Sequence, residues 1–377
     1  MKKILIFGYH AIIRDPRSYK QLKWLMNDYD VDVVCQIPDS SIDANYIIYN
    51  QVNFSYFKSK LRLIYLIFRR FNKYTWSKNH KKLTNILSKK TYDLIIVHHI
   101  KLLPLVFSFS GNTKVIMDAH EFYTEVYTDS VLWNFFMKKY YVWLSNNYLS
   151  KCDLLIAVNE SMSKRYAKEY DIKTEFITNA AEYYDIEPSV IKKDEIKIIH
   201  HGLAGRSRKL ELMIEMADFL DDRFTLTFLI FELNIFSKLY LNKLKRIAKH
   251  NPKIVFLKPV PADKLVEFGN QFDIGLFFMP PSNYNEEYSL ANKVFQYIQS
   301  RLMLAVSPLP EMKNIVENYE LGVIAKDYNP KSLAIDLNSL TSEAIMSFKA
   351  QSHKNSRKLS SIDNMKKFIK LIHALLN

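Results

Sequence analysis

Glycine is scarce in this 377-residue chain, at seven residues, and none falls in a GxGxxG or a Walker-type loop. The signatures of a dinucleotide dehydrogenase and of a P-loop ATPase are therefore absent, since both need glycines where backbone approaches a pyrophosphate. Cysteine is scarcer still. Cys35 and Cys152 each lie in or beside an apolar run, a pattern of buried thiols in a reducing compartment and not of a disulfide framework. No run approaches the roughly 18 apolar residues of a spanning helix, and the apolar part of MKKILIFGYH is too short for a signal peptide. The expectation is a cytoplasmic protein.

Acidic residues are missing from one long stretch. None lies between Asp43 and Asp93, whereas Lys58, Lys60, Arg62, Arg69, Arg70, Lys73 and further lysines do, in a chain of net charge +14. Interleaved with them are Phe54, Tyr56, Phe57, Tyr65, Phe68, Phe71, Tyr74 and Trp76. Cations mixed with large rings suit an anionic membrane surface, where charges meet lipid phosphates and rings sit at the interface. That reading places the protein peripherally on the inner face of a plasma membrane. A solvated basic helix pair with inward-packed rings gives the same pattern. Nucleic acid ranks behind both, although such a footprint would also neutralise its phosphates.

What the chain does have is alternation. Apolar strand-like runs (Lys3–Phe7, Val31–Ile37, Asp93–His98, Lys114–Asp118, Asp153–Val158, Thr174–Ile177) alternate with helical stretches such as Val131–Leu149, and the pattern repeats from Ile196 onward. This predicts an α/β protein of two doubly wound, Rossmann-like domains with parallel sheets. The polar, aperiodic stretch Ala181–Glu195 separates them, giving domains over 1–185 and 186–355 and a basic amphipathic helix within 356–377.

The chemistry concentrates in two places of the second half. In IIHHGLAGRSRKLELMIEM, Gly202 and Gly205 open a tight loop after a strand, and Arg206, Arg208 and Lys209 begin the next helix. Guanidinium groups beside helical N–H groups suit a diphosphate. In DIGLFFMPPSNYNEEYSLANKVFQYIQSRLMLAVSPLP (Asp273–Pro310), a buried strand, a polar loop, a helix over Ser289–Ser300 with Ser289 as N-cap, and a second buried strand make another anion-binding arrangement. His120, in VIMDAHEFYTE, lacks HExxH spacing. The overlapping DxD spacings of NDYDVDVV read as a turn, neighbours His98 and His99 would point to opposite faces of a strand, and no cluster has metal-ligand spacing. No metal is expected.

The run from Ser289 to Ala334 resembles the donor-site region of the retaining glycosyltransferases of family four, bacterial surface-polysaccharide type. Those enzymes carry an Asn-Lys-(Leu/Val)-Phe-Glu-Tyr helix. Asn292, Lys293, Phe295 and Tyr297 fit it, while Gln296 replaces the usual Glu and Tyr288 replaces the acid eight residues earlier. The glycine loop is similar to the family's phosphate loop, with Arg208 at its arginine and Lys209 where Gly is common. Asp118, His120 and Glu121 match the family's Asp-x-His-(Glu/Asp) run. The resemblance covers essentially the whole chain and is strongest from His200 to Ala334.

What it implies is a GT-B architecture, two domains facing across a cleft with the C-terminal helix packed back on the first. A sugar would pass with retained configuration from a nucleotide-sugar, UDP-sugar foremost, to a hydroxyl of a saccharide or lipid-linked saccharide, with no metal or resident cofactor. His120 would be catalytic. Gly202, Arg206, Arg208, Lys209, Val260, Ser289, Asn292, Lys293 and Gln296 would bind the donor, and Arg17 and His98 the acceptor. The alternatives are a nucleotide-sugar epimerase or hydrolase of the same fold, and a non-catalytic binding protein.

Overall fold

The structure is a computed structural model that describes residues 1–8, 12, 15–49 and 56–377, with only the backbone of 56–61. Arg14, Phe54 and the side chains of Tyr56, Phe57, Lys58 and Lys60 lie outside the described residues. The chain divides into two compact units. One comprises Met1–Asn179, Asn283–Asn285 and Asn364–Asn377; the other comprises Ala180–Ser282 and Glu286–Asp363.

In the first unit, β1 (Lys3–Phe7), β2 (Asp30–Cys35), β3 (Asn45–Ile48), β4 (Leu94–Val97), β5 (Lys114–Ala119), β6 (Leu154–Ala157) and β7 (Thr174–Phe176) form a parallel sheet in the order β3-β2-β1-β4-β5-β6-β7. Its helices are α1 (Pro16–Leu25), α2 (Tyr56–Ile67), α3 (Phe71–Thr75), α4 (Lys78–Leu87), α5 (Leu103–Val106), α6 (Val131–Phe136), α7 (Lys138–Tyr148) and α8 (Glu160–Tyr170). The central strands β1, β4 and β6 are almost wholly apolar and buried because helices cover both faces. Leu5, Phe7, Ile95 and Val97 pack into one core, and the alternate residues Ile4, Ile6, Leu94 and Ile96 into the other.

The second unit repeats the scheme with β8 (Ile196–Leu203), β9 (Phe224–Phe231), β10 (Ile254–Leu257), β11 (Ile274–Phe277), β12 (Met303–Val306) and β13 (Gly322–Ile324), ordered β10-β9-β8-β11-β12-β13 and parallel. The later helices are α9 (Glu211–Asp218), α10 (Ile235–Ala248), α11 (Leu265–Gly269), α12 (Tyr284–Glu287), α13 (Asn292–Gln299), α14 (Pro310–Tyr319), α15 (Pro330–Asn338), α16 (Ser342–Asn355) and α17 (Ser361–Leu376). In each sheet the chain starts centrally, builds one side, then returns to build the other. The switch points lie between β1 and β4 and between β8 and β11, where α/β folds place ligands at the carboxyl ends of strands.

Three elements differ from the sequence expectation. The edge strand β3 was not anticipated. The stretch Val131–Leu149 is two helices divided at Met137, and the first buries no residue while the second buries Tyr140, Tyr141 and Leu144. Asp32, claimed both by the strand run Val31–Ile37 and by the DxD turn reading, lies within β2, fully buried and bonded by Tyr92 and Lys90.

The C-terminal helix α17 completes the first unit. Met365, Phe368 and Ile372, one helical face, join the core on the Ile4/Ile6 side of the sheet. Lys367 Nζ donates to Phe176 O at 2.9 Å. Phe368 is fully buried, so Phe368→Ala should cost about 3–5 kcal/mol. Urea unfolding of the full chain checks this, and a loss below about 1 kcal/mol would show that α17 is not part of that core.

Candidate functional site

In the second unit, β8 and β11 pair only through Ile198 and Ile199, while β8 continues beside β9 to Leu203. The two central strands therefore part at their carboxyl ends. Their unpaired backbone groups are satisfied by side chains, as buried polar groups must be. His200 Nδ1 lies 2.9 Å from Leu276 O and donates to it. The Tyr297 hydroxyl accepts from His201 N at 3.4 Å and donates to Leu276 O at 3.3 Å. Gly275 makes room for that tyrosine, because a Cβ there would sit 2.3 Å from its ring.

Tyr297 fixes α13, and α13 brings Lys293 into the parting. Lys293 Nζ is buried and has no hydrogen-bond partner. It lies 5.3 Å from the centre of the Phe277 ring at the end of β11. Arg208 reaches the same spot from the turn after β8. A Cβ on Gly202 would meet Arg208 Nη1 at 2.9 Å and Lys293 Nζ at 3.2 Å, and Gly202 holds φ at 139°, a region other residues rarely enter. Two basic side chains thus converge on a strand end that only glycine can occupy without strain. Burial, then Arg208, pushes the Lys293 ammonium well below its usual pKa. Burial lowers that of Arg208, opposed by Glu286 and Tyr297. His201 is pushed down to about 3 and His200 well below normal, by burial and then by Lys293, so both are neutral. An unpaired buried ammonium is costly, and a bound polyanion would satisfy it.

The other residues expected here divide. Asn292 and Lys293 open α13, whose cap is Ala291 and not Ser289, because the residues up to Ser289 are spent on α12 and a following turn closed by Ser289 N to Glu286 O. Ser289 therefore does not cap the helix. Arg206 and Lys209 are exposed, and Arg208 alone of the basic trio turns inward. Lys209 has φ 45°, left-handed backbone that accounts for glycine being common there in the resembled loop. Gln296 is half-buried on α13. Val260 follows β10 beside a shallow groove of about 370 Å³ lined by Phe231, Lys245, Leu257, Lys258 and Pro259.

In the first unit, the switch point carries a different chemistry. Arg17, expected to bind the acceptor, is buried beside Asp118, with its Nη2 left without a hydrogen-bond partner. It is 2% exposed, and its Nε donates to both Asp118 oxygens at 2.8 and 2.9 Å while Nη1 donates to Ile177 O at 2.6 Å. Gln21 also donates to Asp118. Burial would raise the Asp118 pKa, but Arg17, followed by His98 and His120, more than offsets it and holds the carboxyl low. His98, also expected to bind the acceptor, is likewise buried, and its Nε2 has no hydrogen-bond partner. Its Nδ1 lies 3.2 Å from His120 Nε2 and 3.7 Å from Asp118, and burial pushes its pKa down to about 4. Neutral His98 therefore positions His120, which is 30% exposed at the end of β5 and 3.9 Å from Asp15 Oδ2. Among the described residues, Asp15, His98 and His120 are the group whose donor atoms, within 4.8 Å of one another, could hold a metal. Asp15 is already committed as the N-cap of α1, accepting from Arg17 N and Ser18 N.

Sequence reasoning missed Asp15 and Gln21 and gave no role to Tyr297. The signal for Asp15 was present in Asp-Pro-Arg, an N-cap followed by proline at the first helical position.

Two parallel-sheet α/β units of this kind have the GT-B architecture. Residues 19–181 match the family Glycosyltransferase Family 4. No curated protein matches the chain. Solved structures do. Sucrose-phosphate synthase from Thermosynechococcus elongatus is 11% identical, with a TM-score of 0.71 over 100% of this chain and 99% of that one. Anabaena HepE, solved with UDP and glucose, is 12% identical with a TM-score of 0.71 over 99% and 100%. The Escherichia coli trehalose-6-phosphate protein bound to UDP-2-fluoro glucose is 11% identical with a TM-score of 0.69 over 100% and 99%.

Gly202→Ala should displace Arg208 and strain the strand end by about 1–3 kcal/mol. Pyrophosphate binding, measured by calorimetry, should weaken by roughly tenfold or more; unchanged affinity would show that this contact does not shape the site.

Proposed function

We propose that this chain is a retaining glycosyltransferase that moves a sugar from a UDP-sugar to a hydroxyl of a saccharide or lipid-linked saccharide in surface glycan synthesis. The observation that carries the reading is the buried, partnerless Lys293 amino group beside Arg208. A guanidinium, and an amine that gains its proton beside an anion, held at a strand end next to the amino terminus of α13, match the charge that builds on a departing diphosphate. In the transfer, the bond from the sugar's anomeric carbon to the diphosphate oxygen breaks with its electron pair leaving on UDP. The acceptor oxygen takes its place, and the acceptor's proton passes to the diphosphate.

The nucleobase would lie against the connection after β10, near Val260. Gln296 would orient the donor, a neutral group where an acid pair is usual in the resembled enzymes. His120, steadied by His98, would position the sugar or acceptor. Arg208 and Lys293 supply the positive charge that a divalent ion brings elsewhere, so no metal is needed. The family match over residues 19–181 and the UDP-bound structures of the same fold support this reading.

Thermal shift with UDP, GDP and CMP, followed by a nucleotide-sugar panel read by mass spectrometry, tests it. UDP should raise Tm. Arg208→Ala should abolish that shift and lower kcat by about 10²–10³, and EDTA should leave turnover unchanged. Donor consumption without an acceptor would mark an epimerase or hydrolase instead. Nucleotide binding with no turnover would mark a binding protein, and the absence of any nucleotide shift would overturn the donor site itself.

A further inference from the structure

Large apolar side chains normally point inward, yet a contiguous group on the first unit points out. At the end of α2, Ile67 is 52% and Phe68 71% exposed, with Leu63 and Ile64 exposed behind them. The neighbouring α6 contributes Val131, Leu132 and Phe135, at 82%, 71% and 65%. The two helices touch, so the two exposed sets lie on neighbouring elements of one unit. Arg69 has φ 53°, a left-handed residue that ends α2 in a tight turn, with Phe68 on one side and Arg70 on the other. Around the apolar residues stand exposed Arg69, Arg70, Lys73 and Lys139. Asp129, just before α6, is the sole acid in the approach to it.

We infer that the surface made by the end of α2, its closing turn and α6 docks on an anionic lipid bilayer, with Phe68, Leu132 and Phe135 entering the interface. The charge decides the occupant. A second copy of this chain would bring arginine and lysine against arginine and lysine, whereas anionic headgroups neutralise them. A nucleic acid would meet the cations but leave the protruding leucine, valine and phenylalanine uncovered. A bilayer satisfies both, because its headgroups take the charges and its acyl boundary takes the apolar side chains. The cytoplasmic leaflet is the anionic one, so the inner face of the plasma membrane is the docking side. The inference extends the lipid-linked acceptor of the proposed function, but it needs nothing from the donor site.

Flotation of the full chain with vesicles of phosphatidylcholine alone, or with about 30% phosphatidylglycerol, tests it. Binding to the anionic vesicles should exceed binding to neutral ones by at least about tenfold and fall as salt rises. Leu132→Glu with Phe135→Glu should remove binding although every lysine and arginine remains. Arg69→Glu with Arg70→Glu should remove the anionic preference. Both double variants should keep the wild-type Tm, because the altered side chains are exposed. No flotation at low salt, equal binding to both vesicles, or binding unchanged in the Leu132/Phe135 variant would overturn the proposal. So would a concentration-dependent dimer in sedimentation that this variant abolishes, or tighter binding to single-stranded oligonucleotide than to vesicles. The UDP shift is read separately, so a failure of the donor reading leaves the vesicle result standing.

Discussion

The second unit's site depends on two parallel strands that cease to pair. After Ile199, β8 stays with β9 but leaves β11, and the backbone groups freed in the gap have to find partners. His200 and Tyr297 supply them. Because Tyr297 belongs to α13 and its ring fills the space left by Gly275, the bond that seals the gap also sets the position of the helix. One turn earlier on that helix is Lys293. The placement of the ammonium is therefore a consequence of repairing the sheet, and the cost of burying it beside Arg208 is borne by the packed core around the strands.

The first unit solves the same topological problem with opposite electrostatics. Its switch point holds an arginine, but Asp118 lies beside it and accepts from its Nε with both carboxylate oxygens. Removing one partner of such a buried pair leaves an uncompensated charge, which makes the pair a fixture of the scaffold. What remains available is His120, set against a neutral His98. The unit that pairs its arginine with Asp118 offers an imidazole, and the unit that leaves Lys293 without a partner offers a place for an anion.

Much of this was legible in the sequence. Strands buried on both faces read as continuous apolar runs, so twelve of the thirteen strands among the described residues could be placed from the sequence. The exception, β3, is a four-residue edge strand with an exposed asparagine and a half-buried tyrosine, too short and too polar to separate from a loop. The glycine loop and the Asn-Lys-x-Phe-x-Tyr helix pointed to Gly202, Arg208 and Lys293. Sequence could not tell which of three neighbouring basic residues turns inward, because that is decided by the left-handed turn at Lys209 and by contact with Lys293. Nor could it show that Arg17 is consumed by Asp118, a hundred residues away, or that a polar loop would spend Ser289 on a turn before α13 begins. Short-range capping rules see neither.

The most direct test of the central claim is the proton balance of nucleotide binding. Lys293 lies well below its usual pKa in the free protein because it is buried beside another cation, and a diphosphate at that spot should restore its charge. Near about pH 8, where UDP itself is fully ionised, calorimetry in buffers of different ionisation enthalpy should show net proton uptake on binding, with affinity falling as pH rises. Uptake should vanish in Lys293→Met. Binding of UDP without uptake, or with proton release, would contradict the account.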